Sequence, residues 1–126
     1  VLPKLTTNSS VVLYSTVAVK VGMPFHASVA ASKGALEGLG KSLAAELAPN
    51  TRVNVIAPSI TKTPLADRFL NNETKMEKSA QRHPLKRVGK AEDVASMTRF
   101  LLSDESSWMT GQIIGLDGGM SSLNTH

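Results

Sequence analysis

Three clusters of polar side chains and one lysine in this 126-residue chain are of types that could do chemistry. Hydroxyls gather at Ser15-Thr16 and again in Pro58-Ser59-Ile60-Thr61-Lys62-Thr63, while Asp117 precedes the pair Gly118-Gly119. Lys33 stands near the beginning of a long leucine-striped segment. A lysine in the first turns of a helix opposes the positive end of the helix dipole, so it favours an anionic neighbour, although a solvated lysine lying along the helix satisfies the same spacing. No cysteine is present, which excludes disulfides, thiolate catalysis and cysteine-ligated metal centres. No metal site is expected. Of the three histidines, His26 precedes the Lys33 segment in a loop, and an imidazole is a proton-donor type. A loop histidine without catalytic duty fits equally well. His83, beside Pro84, and the terminal His126 have no sequence partner and are expected at the surface.

The elements that must hold these groups are readable from periodicity. Val11 to Thr16 is β-branched and almost continuously apolar, as in a strand covered on both faces. Ser28 to Ala48 carries leucines at 36, 39, 43 and 47 on one stripe and is expected to be a helix. Ala30, Gly34, Gly38 and Ser42 recur every fourth residue, a second stripe expected to let another backbone approach closely. Pro49-Asn50 stops that helix, and Arg52 to Ala57 reads as a second buried strand ended by Pro58. One or two surface helices are expected between Thr63 and Arg82, another helix from Ala91 to Ser103, and a third strand from Gln112 to Asp117. The order β-α-β-α-α-β with apolar strands implies an α/β fold with an open parallel sheet. In such sheets ligands bind beyond the carboxyl ends of the strands, which is where the three polar clusters fall.

Composition sets the outer limits. Hydrophobic residues make up 41% of the chain and charged residues 19%, an ordinary globular balance with no apolar run long enough to span a membrane. A cytoplasmic address is expected. The opening Val1-Leu2-Pro3-Lys4 has neither an initiator methionine nor signal-peptide architecture, so the chain is expected to begin inside a longer protein. The net charge of +4 is concentrated at Lys75, Lys78, Arg82, Lys86, Arg87 and Lys90. That stretch lacks the aromatics that stack on bases, so it is read as a solvated face and no nucleic-acid partner is expected.

Five pieces in order and register carry a resemblance. Thr16-Val17-Ala18 with Gly22, Ala31-Ser32-Lys33-Gly34-Ala35-Leu36, Arg52 to Pro58, Thr110-Gly111-Gln112 and Asp117-Gly118-Gly119 together resemble the C-terminal half of a short-chain dehydrogenase/reductase. The resemblance implies residues 1–126 as a single domain, the substrate-side half of a Rossmann-like doubly wound parallel sheet with three strands and flanking helices. It implies NAD or NADP as cofactor, a small-molecule carbonyl or alcohol as substrate, and a homo-oligomer, dimer or tetramer, with no membrane partner.

The resemblance also assigns roles. Family members place a serine thirteen residues before a tyrosine and a lysine four after it; here those positions are Thr16, Val29 and Lys33. The tyrosine gives or takes the substrate proton, the lysine lowers the phenol pKa and holds the nicotinamide ribose, and the serine hydroxyl bonds the carbonyl. Threonine keeps that hydrogen bond, whereas valine has no proton to transfer. Pro58, Ser59, Ile60, Thr61 and Thr63 fall on the segment that lies along the nicotinamide, with Ser59 where the family usually has glycine. The glycine-rich turn that cradles pyrophosphate has no counterpart, so the first strand's edge is expected to be exposed unless covered, and tight cofactor binding by this chain alone is not expected. Two readings stand: an oxidoreductase with altered acid/base chemistry, and a non-catalytic descendant or fragment acting as a binding or oligomerisation module. Tyr14 is read as structural, Trp108 and Met109 as core, and Asp117 as the residue that orders the Gly118-Gly119 turn.

Overall fold

The computed structural model describes residues 4–125, so His126 lies outside the described residues. The main sheet has three parallel strands, β1 (Ser9–Tyr14), β2 (Thr51–Pro58) and β5 (Ile113–Leu116), in the order β1-β2-β5. Register places Leu13 beside Val55 and Ile56 beside Ile114, so every strand runs its carboxyl end to one edge. β2 is the central strand, and Val53, Asn54, Val55 and Ile56 are its most deeply buried residues.

Helix α1 (Ala27–Leu47) makes the first crossover and packs on one face, where a Cβ at Gly40 would stand 2.8 Å from Val55 Cγ2 and 3.5 Å from Leu13 Cδ1. The close approach is therefore at Gly40. The stripe of small residues expected to serve it points elsewhere, and Gly38 has no atom within 4 Å of where its Cβ would be. Leu39, expected on the buried leucine stripe, is half exposed. On the other face lies α4 (Ala91–Leu102): Tyr14 Oη is 2.8 Å from Thr98 Oγ1, and Ser10 donates to the Leu101 carbonyl at 2.6 Å. Tyr14 is thus structural, as its sequence position indicates.

Between β2 and α4 the chain makes an excursion through α2 (Asp67–Leu70) and α3 (Glu73–Gln81). It is bracketed by two short strands that sequence reading does not resolve, β3 (Thr61–Lys62) and β4 (Gly89–Lys90), paired in parallel. Two residues are too few to show a period. The first strand ends at Tyr14 rather than Thr16, because Thr16 caps a 3₁₀ turn, Val17–Val19, by accepting the Ala18 N–H at 3.3 Å.

Buried Asn54 ties β2 to the approach of β5: its Nδ2 donates to the Met109 carbonyl at 3.1 Å and its Oδ1 accepts the Gln112 N–H at 3.1 Å. Thr110 Oγ1 accepts the Val53 N–H and Gly111 donates to the Val53 carbonyl, which accounts for the Thr110-Gly111-Gln112 sequence at this junction. Trp108, expected in the core, is fully exposed instead, since it follows the 3₁₀ turn Asp104–Ser106 on its outer side. Among the described residues no helix is long and apolar enough to cross a membrane. The basic stretch follows the surface of α3 and the loop after it, where Arg87 pairs with Asp93 at 2.7 Å.

Candidate functional site

The carboxyl edge of the sheet gathers the residues singled out by sequence. Lys33 lies in the second turn of α1, and its Nζ donates to the Tyr14 carbonyl at 3.0 Å, at the last residue of β1. Val29, one turn earlier on the same helix face, is 47% exposed. Thr16 adjoins the end of β1, and because Ser15 N–H donates to the Ile56 carbonyl at 2.8 Å, Thr16 lies alongside the end of β2. Its Oγ1 accepts the Ala18 N–H through a lone pair, so the hydroxyl proton remains available to an acceptor. Buried Ser15 locks the base of the site by donating to Glu37 Oε2 at 2.5 Å, one turn beyond Lys33.

The second cluster continues from β2. Pro58 is the last residue of that strand, Ser59 N–H donates to the Leu116 carbonyl at 3.2 Å, and Thr61 Oγ1 donates to the Ser59 carbonyl at 3.0 Å. The Ile60 carbonyl accepts the Gly89 N–H at 3.0 Å, and Thr63 precedes the turn Pro64–Ala66, with its carbonyl accepting from Ala66. The third cluster is a tight turn: Asp117 accepts from Gly119 N–H at 3.0 Å and Ser121 N–H at 3.1 Å, while Gly118 and Gly119 both take positive φ. Burial pushes the Asp117 carboxyl up, but hydrogen bonds from the Ser121 hydroxyl and from the Gly119 and Ser121 amides outweigh it and hold the group below its ordinary value. Asp117 orders its turn as expected.

His26 ends the loop into α1, with Nδ1 2.8 Å from the Pro24 carbonyl, which accepts its proton. His83 departs furthest from expectation. It is 1% exposed, with Nε2 2.8 Å from Ser59 Oγ and Nδ1 2.7 Å from the Ser79 carbonyl. Sequence spacing offered no partner because Ser59 is twenty-four residues away. A cleft of about 100 Å³ opens beside this pair, lined by Ser59, Thr61, His83, Arg87 and Asp117 among others; neither Val29 nor Lys33 lines it. On the Lys33 side Val29 is half-exposed and Lys33 itself is half-buried.

Comparison with known proteins decides the family. The family model described as enoyl-(acyl carrier protein) reductase matches residues 1–121. The chain belongs to the short-chain dehydrogenase/reductase family. It is 45% identical over 114 residues to a 3-oxoacyl-(acyl-carrier-protein) reductase of Thermotoga maritima, a match covering 90% of this chain and 46% of that protein. A Brucella melitensis short-chain dehydrogenase/reductase superposes with a TM-score of 0.88 at 39% identity, over 94% of this chain and 48% of the other. A gluconate 5-dehydrogenase from Burkholderia cenocepacia, solved with NADP and tartrate, superposes at 0.84 with 27% identity, over 91% of this chain and 46% of that one. The parallel sheet with helices on its faces is thus the Rossmann-like arrangement of this family, and the chain spans about half the length of the relatives it matches.

Proposed function

We propose that residues 1–126 form one domain, the substrate-side half of an NAD(P)-dependent oxidoreductase that interconverts a carbonyl and an alcohol on a small molecule. The observation that carries this reading is the position of Lys33, its Nζ on the Tyr14 carbonyl at the carboxyl edge of the sheet. The donor set suits the nicotinamide riboside end of the cofactor. An ammonium meets ribose hydroxyls, and Pro58, Ser59, Ile60, Thr61 and Thr63 supply backbone and hydroxyl groups along the adjoining strand end. It does not suit the pyrophosphate, for which these residues hold no glycine-rich turn, so that contact would come from sequence outside them. The nicotinamide, when bound, supplies or takes the hydride.

Within this half, Lys33 orients and Thr16 donates its hydroxyl proton to a carbonyl oxygen, stabilising the charge that develops there. Val29 transfers nothing. His26, three residues earlier and exposed at the start of α1, is the nearest imidazole in sequence. A homo-oligomer, dimer or tetramer, fits the outward-facing Gly38 and half-exposed Leu39 of α1. The same features and the aliphatic Val29 support a second reading, a descendant without hydride transfer that serves as a binding or oligomerisation module. Titrating the complete protein with NADH and NADPH, alongside Lys33→Ala, separates the two. The first reading expects at least a tenfold weaker cofactor for the variant; equal binding by both proteins, or none by either, supports the second.

A further inference from the structure

His83 is the one histidine among the described residues that is fully buried, and both of its ring nitrogens are engaged. A backbone carbonyl can only accept, so Nδ1 carries the proton toward Ser79. In the neutral ring Nε2 then holds a lone pair, and Ser59 Oγ donates to it. The alternative acceptor for that hydroxyl, Met120 Sδ at 3.6 Å, is the weaker one. One imidazole thereby joins the last turns of α3 to the first residue beyond β2. The backbone around it is itself anchored: His83 N–H donates to Ala80, and Leu85 N–H donates to the Gly118 carbonyl at 3.1 Å.

The segment that Ser59 begins has little else to hold it. Beyond Ser59 N–H on Leu116, its backbone hydrogen bonds to the rest of the described chain are those of the two-residue β3–β4 pairing, Gly89 N–H on the Ile60 carbonyl among them. A glycine at this position would offer no hydroxyl to an imidazole, so the bond needs Ser59 as well as His83.

We propose that Ser59 and His83 form a clasp that positions the Pro58–Thr63 segment, making the α2–α3 excursion and the cofactor-contacting backbone move as one body. His83 acts through Ser59 and is a positioning residue. The inference rests on the reading of Pro58–Thr63 as cofactor-contacting, and its test is split so that the two can fail separately.

The test compares wild type with Ser59→Ala, His83→Leu and His83→Gln. Gln retains an oxygen acceptor for the Ser59 hydroxyl, whereas Leu does not. Amide hydrogen exchange in the cofactor-free protein reads the clasp directly. In Ser59→Ala and His83→Leu the amides of Ser59 and Gly89 are expected to exchange at least about tenfold faster, while those of Val11 to Leu13 in β1 stay unchanged. His83→Gln is expected to stay near wild type. No local increase in Ser59→Ala, which removes only one oxygen and leaves the core intact, overturns the proposal. So does an equal increase throughout β1, because the pair would then stabilise the fold without positioning the segment. NADH and NADPH titrations of the complete protein form the second arm, with about fivefold to tenfold weaker binding expected for the two clasp-breaking variants and recovery in His83→Gln. Local exchange gained with cofactor affinity unchanged overturns the link to the cofactor and keeps the mechanical clasp. Local exchange gained in a protein whose wild type binds neither nucleotide overturns the function proposed above instead.

Discussion

Valine has no exchangeable proton, and at position 29 it stands one helical turn from Lys33 on a half-exposed face. A phenol placed there would have space, since a side chain 47% exposed is not closely packed. Loss of a general acid costs about 10²–10⁴ in rate, so Val29→Tyr in the complete protein is expected to raise carbonyl reduction toward that extent, measured as NADH or NADPH oxidation. No gain over an already ordinary rate, on the order of 10 s⁻¹, would show that another donor is at work and make His26→Ala the next variant. A second residue-scale expectation concerns Asp93. The hydrogen bond from Arg87, followed by that from the Lys90 N–H, lowers its pKa from 3.8 to about 2. A carboxylate depressed in the folded state stabilises it above the unfolded pKa and loses that contribution as pH falls through the folded one. The window here runs from about pH 4 down to about pH 2. Thermal melts are expected to show Arg87→Ala less stable than wild type at about pH 5, with the gap closing by about pH 2. Because both side chains are partly exposed, the gap should be small and should shrink further in salt.

Two glycines of α1, two residues apart, illustrate what an element's packing adds to its pattern. At Gly40 a Cβ would meet a stiff, buried Val55 at 2.8 Å, so Gly40→Ala incurs an overpacking cost of about 1–3 kcal/mol against a helix-propensity gain of about 1 kcal/mol. At Gly38 nothing lies within 4 Å, and Gly38→Ala keeps the gain alone. Urea unfolding is expected to give opposite signs for the two variants; the same sign for both would mean that α1 does not seat on Val55 as described. The helix and its approximate ends were legible because leucine periodicity spans many turns, and the central strand because its apolar run is bounded by Pro49 and Pro58. Which glycine meets the sheet was not, since a fourfold repeat of small residues marks a smooth stripe without saying which way it faces. The placing of Lys33, Thr16 and the Pro58–Thr63 segment at the strand ends was legible through family spacing, whereas the Ser59–His83 bond joins residues that no local rule connects. The β3–β4 pair escaped for a related reason, since its register depends on how the α2–α3 excursion closes.

At the scale of the whole molecule the deciding feature is an unfinished surface. β1 is an edge strand of the main sheet, and its Val11, Val12 and Leu13 are only half-buried although they are of types that usually fill a core. Phe25, Leu65, Leu85 and Trp108 add large exposed apolar side chains. Such surfaces seek cover, so the 126-residue chain on its own is expected to be at least a dimer by light scattering at high concentration, and a stable monomer there would count against it. Covering β1 with a second copy does not supply a phosphate cradle. In the reading proposed above, Lys33 and the hydroxyls of Thr61 and Thr63 address only the riboside end of a dinucleotide, while much of the affinity in a Rossmann-type site comes from amides at a helix N-terminus after a glycine-rich turn. Calorimetry on this chain alone is therefore expected to find NADH and NADPH bound more weakly than the low micromolar range, where binding free energy is about −8 kcal/mol. Affinity at or below that concentration would mean that the three strand ends hold the whole cofactor without a glycine-rich turn, and the division of labour proposed for this fold would have to be abandoned.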